Sequence, residues 1–436
     1  MPRTISAPLL AAQKAASTDP YLIIILSMLG EEPPSLPAVP PLAIVHDVGG
    51  STVWDISYPN ATAISWLNVS LPANVTHERP RPICLTPLLW FVGNVGGFPR
   101  PTAKSFGAEC NREMARSQDG GGTWDSISVG DETCLSDRAD TGDEINHFSR
   151  IARDAGGRLW AARMLGTNNL HPIRCEVWYS NNDGDTWTLS TTLTKTGANE
   201  PPIALLTHPL NQNIIALISS HISGTDDDDR VVIHYTFDRG ASWTTNRPTV
   251  ASGNNFAHTG NGQSSRHMML PNGRLVIVNR QDTGNWFRIY TSDDYGLTWV
   301  LRYTESGLAT EDNILLFTQG QWLANGGHLV GLRVPVQNGA AGMFAVMESV
   351  NAGNTWTARV LPEPPGVVYG NDWDSVYDPS TDVIYAQNGN IGANANRVLR
   401  LQDATGIGET WEDVTGDLPY VNTNMHWEGI ALIPSS

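Results

Sequence analysis

The stretch SDDYGLTW, from Ser292 to Trp299, decides the fold because it is one copy of a pattern that recurs along the chain. Most copies keep a serine or threonine, an acidic or amide residue, a glycine and a tryptophan at fixed spacing. The copies lie 55 to 63 residues apart and end at Trp124, Trp187, Trp243, Trp299, Trp356 and Trp411. This period is typical of a four-stranded blade with its loops, so the pattern predicts a repeat architecture rather than one reactive loop. One period earlier, ATAISW before Trp66 is interpreted as a degraded seventh copy.

Each period opens with an apolar stretch that is typical of the innermost strand of a blade, such as RPICLTPLLWFVG from Arg81. The chain finishes on another such strand, HWEGIALIPSS from His426, whose missing outer strands are sought in residues 42–69. The sequence therefore predicts an all-β, seven-bladed β-propeller over residues 42–436, with six blades as the fallback. Strands from both ends of the chain are expected to close the ring, which removes the exposed edges of an open array.

Residues 1–41 are predicted to lie outside the propeller as a helix, a short strand and a proline-rich linker. The apolar stretch YLIIILSML, Tyr21 to Leu29, is too short to span a membrane, and no small-residue cleavage site follows it. We therefore expect no membrane insertion and no signal peptide, and a protein that is cytoplasmic as synthesised, with association with a virion or release by lysis left open. Attachment to a larger assembly through residues 1–41 is a further expectation.

The composition describes a turn-rich chain with a substantial core: 436 residues, 40% hydrophobic, with 41 Gly, 28 Pro and 15 Trp. A formal net charge of −17 argues against a nucleic-acid partner, which would require a basic surface. Cys84, Cys110, Cys134 and Cys175 are too few for a disulfide scaffold. A bridge between Cys110 and Cys134 and four free thiols are both open.

The repeated motif resembles the Asp-box, or BNR repeat, of the sialidase superfamily, in which it forms a turn on the face opposite the active site. A closer resemblance to sialidases covers the segments GNGQSSRHMMLPNGRLVIVNR, FRIYTSDDYGLTW and TEDNILLFTQGQWLANGGHLVGLR. It implies that Glu311 matches the glutamate that assists a nucleophilic tyrosine. It also implies that Arg333 matches one arginine of a carboxylate-binding triad and that Arg81 is the N-terminal arginine. The opening TISAPLLAAQKAASTDPYL resembles the starts of sialidase-like propellers encoded by phages and prophages.

Propeller ligands bind around the channel mouth, where the innermost strands begin, so polar residues at those positions are the candidate site. Carboxylate pairs there could provide the acid and base of glycoside hydrolysis. The predicted catalytic residues are Glu200, Glu311, Asp372 and Asp374. The predicted substrate-binding residues are Arg81, His147, Arg150, Arg266, His267, Arg333, His426 and Glu428.

The leading functional hypothesis is a sialidase-like glycoside hydrolase whose partner is a glycan or polysaccharide. One alternative is a non-catalytic glycan-binding adhesin or a structural propeller of a virion or tail. A second is a polysaccharide lyase with a histidine base and an arginine that neutralises a uronate. We expect no cofactor. The repeated motif is not expected to bind a metal, because other copies have Asn351 or Gly406 where an acidic residue would be required.

Overall fold

The computed structural model consists of β-strands joined by turns. It describes residues 41–47, 54–59, 66–72, 81–93, 113–129, 147–166, 172–194, 202–221, 230–246, 267–281, 286–306, 313–317, 328–335, 344–364, 373–388, 397–402, 404–406, 410–415, 418 and 427–433. Within these residues no helix occurs, and thus none that could cross a membrane. The predicted helix, strand and linker of residues 1–40 lie outside the described part.

The described strands form seven antiparallel sheets of four strands, which we call blades 1 to 7 in chain order. Blade 1 joins the two ends of the repeat region: β1 (Leu42–Asp47), β2 (Trp54–Pro59) and β3 (Trp66–Ser70) pair with the last strand, β28 (Trp427–Leu432). The other six blades are each formed by one continuous segment. Blade 2 contains β4 (Arg81–Cys84), β5 (Trp90–Gly93), β6 (Glu113–Ser117) and β7 (Asp125–Ser128). Blade 3 contains β8 (His147–Arg153), β9 (Leu159–Gly166), β10 (Pro172–Ser180) and β11 (Thr188–Thr194).

The remaining four blades repeat this order, with the first strand innermost. Blade 4 contains β12 (Pro202–Thr207), β13 (Ile215–His221), β14 (Arg230–Thr236) and β15 (Thr244–Asn246). Blade 5 contains β16 (Met268–Met269), β17 (Leu275–Gln281), β18 (Trp286–Ser292) and β19 (Val300–Ser306). Blade 6 contains β20 (Asn313–Phe317), β21 (Leu329–Pro335), β22 (Ala345–Ser349) and β23 (Thr357–Val360). Blade 7 contains β24 (Trp373–Asp378), β25 (Val383–Asn388), β26 (Arg397–Leu401) and β27 (Trp411–Asp413).

The hydrophobic core lies between blades, in seven clusters that each join two neighbouring sheets. Between blades 2 and 3, for example, Phe91 and Met114 pack against Ile151 and Trp178. The cluster between blades 7 and 1 contains Ile430 of β28, so the seven clusters together form a closed ring. Burying one large apolar side chain contributes about 1.5–3 kcal/mol, and the ring distributes this stabilisation around its circumference. The predicted β-propeller, closed by strands from both ends, is confirmed.

The repeated motif forms a tight turn between the third and fourth strands of blades 2 to 6. In blade 5, Ser292 Oγ donates to Asp294 Oδ1 (2.8 Å) and accepts the backbone N–H of Gly296 (2.8 Å). Thr298 donates to Asp294 twice, from its N–H (2.8 Å) and from its hydroxyl (2.6 Å). The carboxylate therefore holds its own turn closed. We call the side of the ring that carries these turns the turn face.

Glycine is required in this turn for two physical reasons. Gly240 of blade 4 has a φ of +87°, which L side chains rarely adopt, and a Cβ there would lie 2.6 Å from the ring of Trp160 in blade 3. The turn thus packs directly against the preceding blade.

In blades 3 to 7, a side-chain donor of the preceding blade binds a backbone carbonyl between the third and fourth strands. In blades 3 to 6 the accepting residue has positive φ. Arg274 of blade 5, for example, donates from Nη1 to the carbonyl of Ala352 in blade 6 (2.9 Å). The equivalent hydrogen bonds, from side chain to backbone carbonyl, are Arg116 to Asp183 (3.0 Å), Arg158 to Arg239 (3.1 Å), Asn246 to Tyr295 (3.0 Å) and Arg359 to Ala404 (2.6 Å).

Two of the four cysteines lie in the described residues, and both are free thiols. Cys175 is buried, and burial raises the pKa of its thiol well above the ordinary value, so it behaves as a small apolar core residue. Cys84 is partly exposed. Cys110 and Cys134 lie outside the described residues, so a bridge between them stays a prediction.

Candidate functional site

The innermost strands all begin on the side of the ring opposite the turn face, which we call the site face. The described hairpin turns that follow β4, β8, β12, β16 and β24 lie beside the turns between third and fourth strands. After β12, the carbonyl of Asn213 accepts the N–H of Arg239 (3.0 Å), and after β16, Arg274 binds Asp293. Since the strands end at the turn face, their first residues lie at the site face.

The backbone places several predicted residues at this face. Arg81 begins β4, His147 begins β8, Asp374 is the second residue of β24 and Glu428 is the second residue of β28. Arg150 lies further along β8, and His267 immediately precedes β16. The side chains of Arg81, His147, Arg150 and Glu428 are not among the described ones. The predicted residues Glu200, Arg266, Glu311, Asp372 and His426 lie outside the described ranges altogether.

Asp374 is the one predicted catalytic residue whose side chain is described, and it is 3% exposed. Its Oδ1 accepts the N–H of Ser375 (2.9 Å), and its Oδ2 accepts the N–H of Ile430 (3.3 Å). The second bond crosses from blade 7 to blade 1, so the carboxyl group joins two innermost strands at the site face. A carboxyl group in such a position can act as an acid when protonated and as a base when ionised.

Gln387 of β25 lies directly opposite Asp374 in the antiparallel register and therefore shares its face of the sheet. Its side chain is 1% exposed, and within the described part of the chain neither its Oε1 nor its Nε2 has a hydrogen-bond partner. An unpaired buried amide costs about 1–3 kcal/mol, so its presence beside a buried carboxyl group calls for an explanation. Gln387 lies on a second strand, whereas the sequence pattern points only to the starts of innermost strands, so Gln387 was not among the predicted residues.

Arg333 is 3% exposed, and its guanidinium is paired with a carboxylate. Its Nη1 donates to Glu305 of blade 5 at 2.5 Å, and the hydroxyl of Tyr303 donates to the same carboxylate (3.2 Å). Burial, reinforced by the charge of Glu305, raises the pKa of Tyr303 above its ordinary value. The ion pair between Arg333 and Glu305 thus joins blades 5 and 6 and compensates the charge of the guanidinium. No signal in the sequence pointed to Glu305 as the partner of Arg333.

His267 is also buried, at 4% exposure. The structure therefore buries Asp374, His267 and Arg333, and it places Asp374 and Arg333 at junctions between blades. Among the described residues, no group of three or more His, Cys, Asp or Glu is arranged to hold a metal ion.

The carboxylates of the turn face are engaged in structural hydrogen bonds. Burial alone would raise the pKa of Asp294, but the bonds from Thr298 and Ser292 outweigh it, and the pKa lies below its ordinary value. Hydrogen bonds from Ser242 and Thr236 lower the pKa of Asp238 to about 2. A carboxyl group whose pKa is lowered in this way is a poor proton donor, so acid–base chemistry is expected at the site face instead.

No protein-family model matches the sequence, and no curated protein matches it. Several solved structures resemble this one. An α-L-arabinanase of Penicillium chrysogenum, complexed with arabinobiose, is 15% identical, with a TM-score of 0.42 over 62% of this chain and 85% of that one. The NanB sialidase of Streptococcus pneumoniae is 10% identical, with a TM-score of 0.38 over 83% of both chains. A lectin from Aleuria aurantia, in complex with Fucα1-6GlcNAc, is 14% identical, with a TM-score of 0.41 over 77% of this chain and 94% of that one. Similarities of this size assign neither an activity nor a substrate to this chain.

Proposed function

We propose that this protein is a carbohydrate-active propeller that hydrolyses glycosidic bonds at its site face, with Asp374 as one of the two carboxyl groups required. The observation that carries the proposal is the pair formed by Asp374 and Gln387. A buried carboxyl group with an unpaired amide opposite it, where two innermost strands meet, offers both the proton transfer and the hydrogen bonding that a sugar requires.

Glycoside hydrolysis uses two carboxyl groups on either side of the scissile bond. Glu428 is a candidate for the second, because it lies two residues before Ile430, whose N–H binds Asp374. Glu200, Glu311 and Asp372 are further candidates, since each precedes an innermost strand by one or two residues. The separation of the pair decides whether the reaction retains or inverts the anomeric configuration.

The test is a hydrolysis screen on a broad panel of oligosaccharides and polysaccharides, including substrates with acidic and furanose sugars. Asp374→Asn is expected to lower kcat on any substrate cleaved by about 100-fold or more, because removing an acid or base costs about 10²–10⁴-fold. Asp294→Asn is the matched control: it makes the same chemical change on the turn face and should leave kcat unaltered. Glu428→Gln, Glu200→Gln, Glu311→Gln and Asp372→Asn then identify the second carboxyl group.

Other outcomes would overturn this proposal in distinct ways. Wild-type activity in a folded Asp374→Asn variant would remove Asp374 from the site. Glycan binding without hydrolysis by the wild-type protein would favour an adhesin. Release of an unsaturated uronate would favour a lyase.

A further inference from the structure

The turn face carries exposed apolar side chains that its hydrogen-bonded turns do not require. Leu210 is 74% exposed, Leu297 is 61% exposed and Phe237 is 51% exposed. These residues come from blades 4 and 5. The ring of Phe237 lies 4.7 Å from that of Tyr295, between centroids, so the two turns form a continuous surface. We call Leu210, Phe237, Tyr295 and Leu297 the apolar patch.

The turn face is also where the N-terminal segment joins the propeller. The carbonyl of Pro41 accepts the N–H of Ile433 (2.8 Å), and Leu42 pairs with Leu432 at the end of β28. Innermost strands end at the turn face, so residues 1–40 connect to the ring on the side that carries the apolar patch.

Residues 1–40 include a segment whose chemistry matches this surface. Tyr21–Leu29, YLIIILSML, contains one polar residue in nine. Exposing it to water would cost about 25 cal/mol for each Å² of apolar surface, so burial against another apolar surface is favoured. The eleven residues between it and Pro41 are proline-rich, and at about 3.1 Å per residue in an extended conformation they span about 35 Å. A blade of four strands about 4.8 Å apart is roughly 20 Å wide, so this reach is sufficient to cross the channel to blades 4 and 5.

We propose that Tyr21–Leu29 docks onto the apolar patch of its own chain. Attachment through the linker makes the contact intramolecular, with an effective concentration in the millimolar range, which favours the same chain over a second copy. The turn face is thereby a scaffold for the N-terminal segment, while the site face stays open.

Cross-linking in the full-length protein tests this contact. In Ile24→Cys combined with Leu297→Cys, oxidation should form a bond within one chain, identified by mass spectrometry of the linked peptides. The control is Ile24→Cys with Leu88→Cys, because Leu88 is 59% exposed on the turn face of blade 2, outside the patch. We expect the patch pair to cross-link at least about tenfold faster than the control. Equal rates, or bonds only between chains, would overturn the proposal.

A second measurement does not depend on cysteine chemistry. Ile24→Asp with Ile25→Asp should release the segment and increase the fluorescence of a dye that binds apolar surface by several-fold. Adding Leu297→Ser and Phe237→Ser should return the signal towards the wild-type level. Unchanged dye binding in the double aspartate variant, with an unchanged thermal midpoint, would show that the patch is not covered by this segment.

Discussion

At the scale of the residue, Gln387 combines a cost in stability with a position beside Asp374. Replacing an unpaired buried amide by an apolar side chain of similar shape removes its desolvation penalty. Gln387→Met is therefore expected to raise the free energy of unfolding by about 1–3 kcal/mol in chemical denaturation. Gln402→Met, at an exposed position of the same blade, should change it by less than about 0.5 kcal/mol.

Loss of stability in Gln387→Met would show that the amide has partners and that no penalty exists. If the expected gain is accompanied by weaker glycan binding, the amide has been retained for recognition at the expense of stability, as is common at functional sites.

Asp294 illustrates the opposite case, a carboxylate whose oxygens are fully used by its own turn. Asp294→Ala removes the acceptor for Ser292 and Thr298 and is expected to cost about 1–2 kcal/mol. Asp294→Asn should cost less than about 0.5 kcal/mol, because asparagine performs this role in blades 3 and 6: Asn182 Oδ1 accepts the N–H of Thr186 (3.0 Å), and Asn351 makes the equivalent bond. Equal costs for the two variants in urea denaturation would contradict this account.

The residue scale also shows what the sequence could predict. The repeated turn was predictable because its serine, aspartate, glycine and threonine interact within eight consecutive residues. The pairing of Arg333 with Glu305 was not, since 28 positions and a change of blade separate the two residues. Gln387 was missed for a similar reason, because its place beside Asp374 depends on the register of two strands.

At the scale of the element, the hairpin turn after β12 depends on a neutral histidine. His208 Nδ1 accepts the N–H groups of Leu210 and Asn211 (both 3.1 Å), while the ring hydrogen-bonds the backbone of Pro271 in blade 5. Proline has no N–H, so the histidine donates there from its other nitrogen and its Nδ1 is unprotonated. Burial lowers the pKa of His208 below its ordinary value, against the opposing effect of the bond to Pro271.

A lowered pKa in the folded state makes this turn sensitive to acid. The unfolded chain takes up the proton near pH 6.5, whereas folded His208 resists it. The stability that His208 contributes is thus fully present above about pH 6.5 and is lost as pH falls towards the lowered folded pKa.

His208→Asn should reduce this dependence, because an asparagine oxygen can accept the same N–H groups without titrating. Blade 3 provides the precedent, as Asp154 Oδ1 accepts the N–H of Gly156 (2.9 Å) and of Arg158 (3.0 Å). Urea denaturation at pH 7.5, 6.5 and 5.5 should show a smaller loss of unfolding free energy in the variant. Parallel losses in the two proteins would contradict the assignment.

At the scale of the whole molecule, the stability of the ring depends on the strand that the C-terminal region contributes. β28 pairs with β1 and supplies Ile430 to the cluster between blades 7 and 1. Deleting residues 427–436 leaves β1 as an unpaired edge beside an opened core and is expected to abolish cooperative thermal unfolding. Deleting only residues 434–436 is the control and should leave the thermal midpoint within about 2 °C of the wild-type value. A sharp, unshifted transition in the longer deletion would show that six blades suffice.

The sequence predicted this closure because its repeat has a fixed phase: an innermost strand without outer strands at one end requires outer strands without an innermost one at the other. The arrangement of the site could not be predicted from the sequence in the same detail. Glu200, Glu311 and Asp372 belong to the segments between blades in the sequence, where no period constrains the chain, and they lie outside the described residues.

The hydrogen bond between Pro41 and Ile433 determines how the molecule would respond to mechanical force. The start of β1 and the end of β28 lie side by side at the turn face, so a load that pulls residues 41 and 433 apart acts on the ladder from one end. The hydrogen bonds between β1 and β28 would then break one after another instead of bearing the load together in shear. Tension applied between the two termini would thus open the ring at low force, whereas tension between a terminus and the site face would load the same strands along their length.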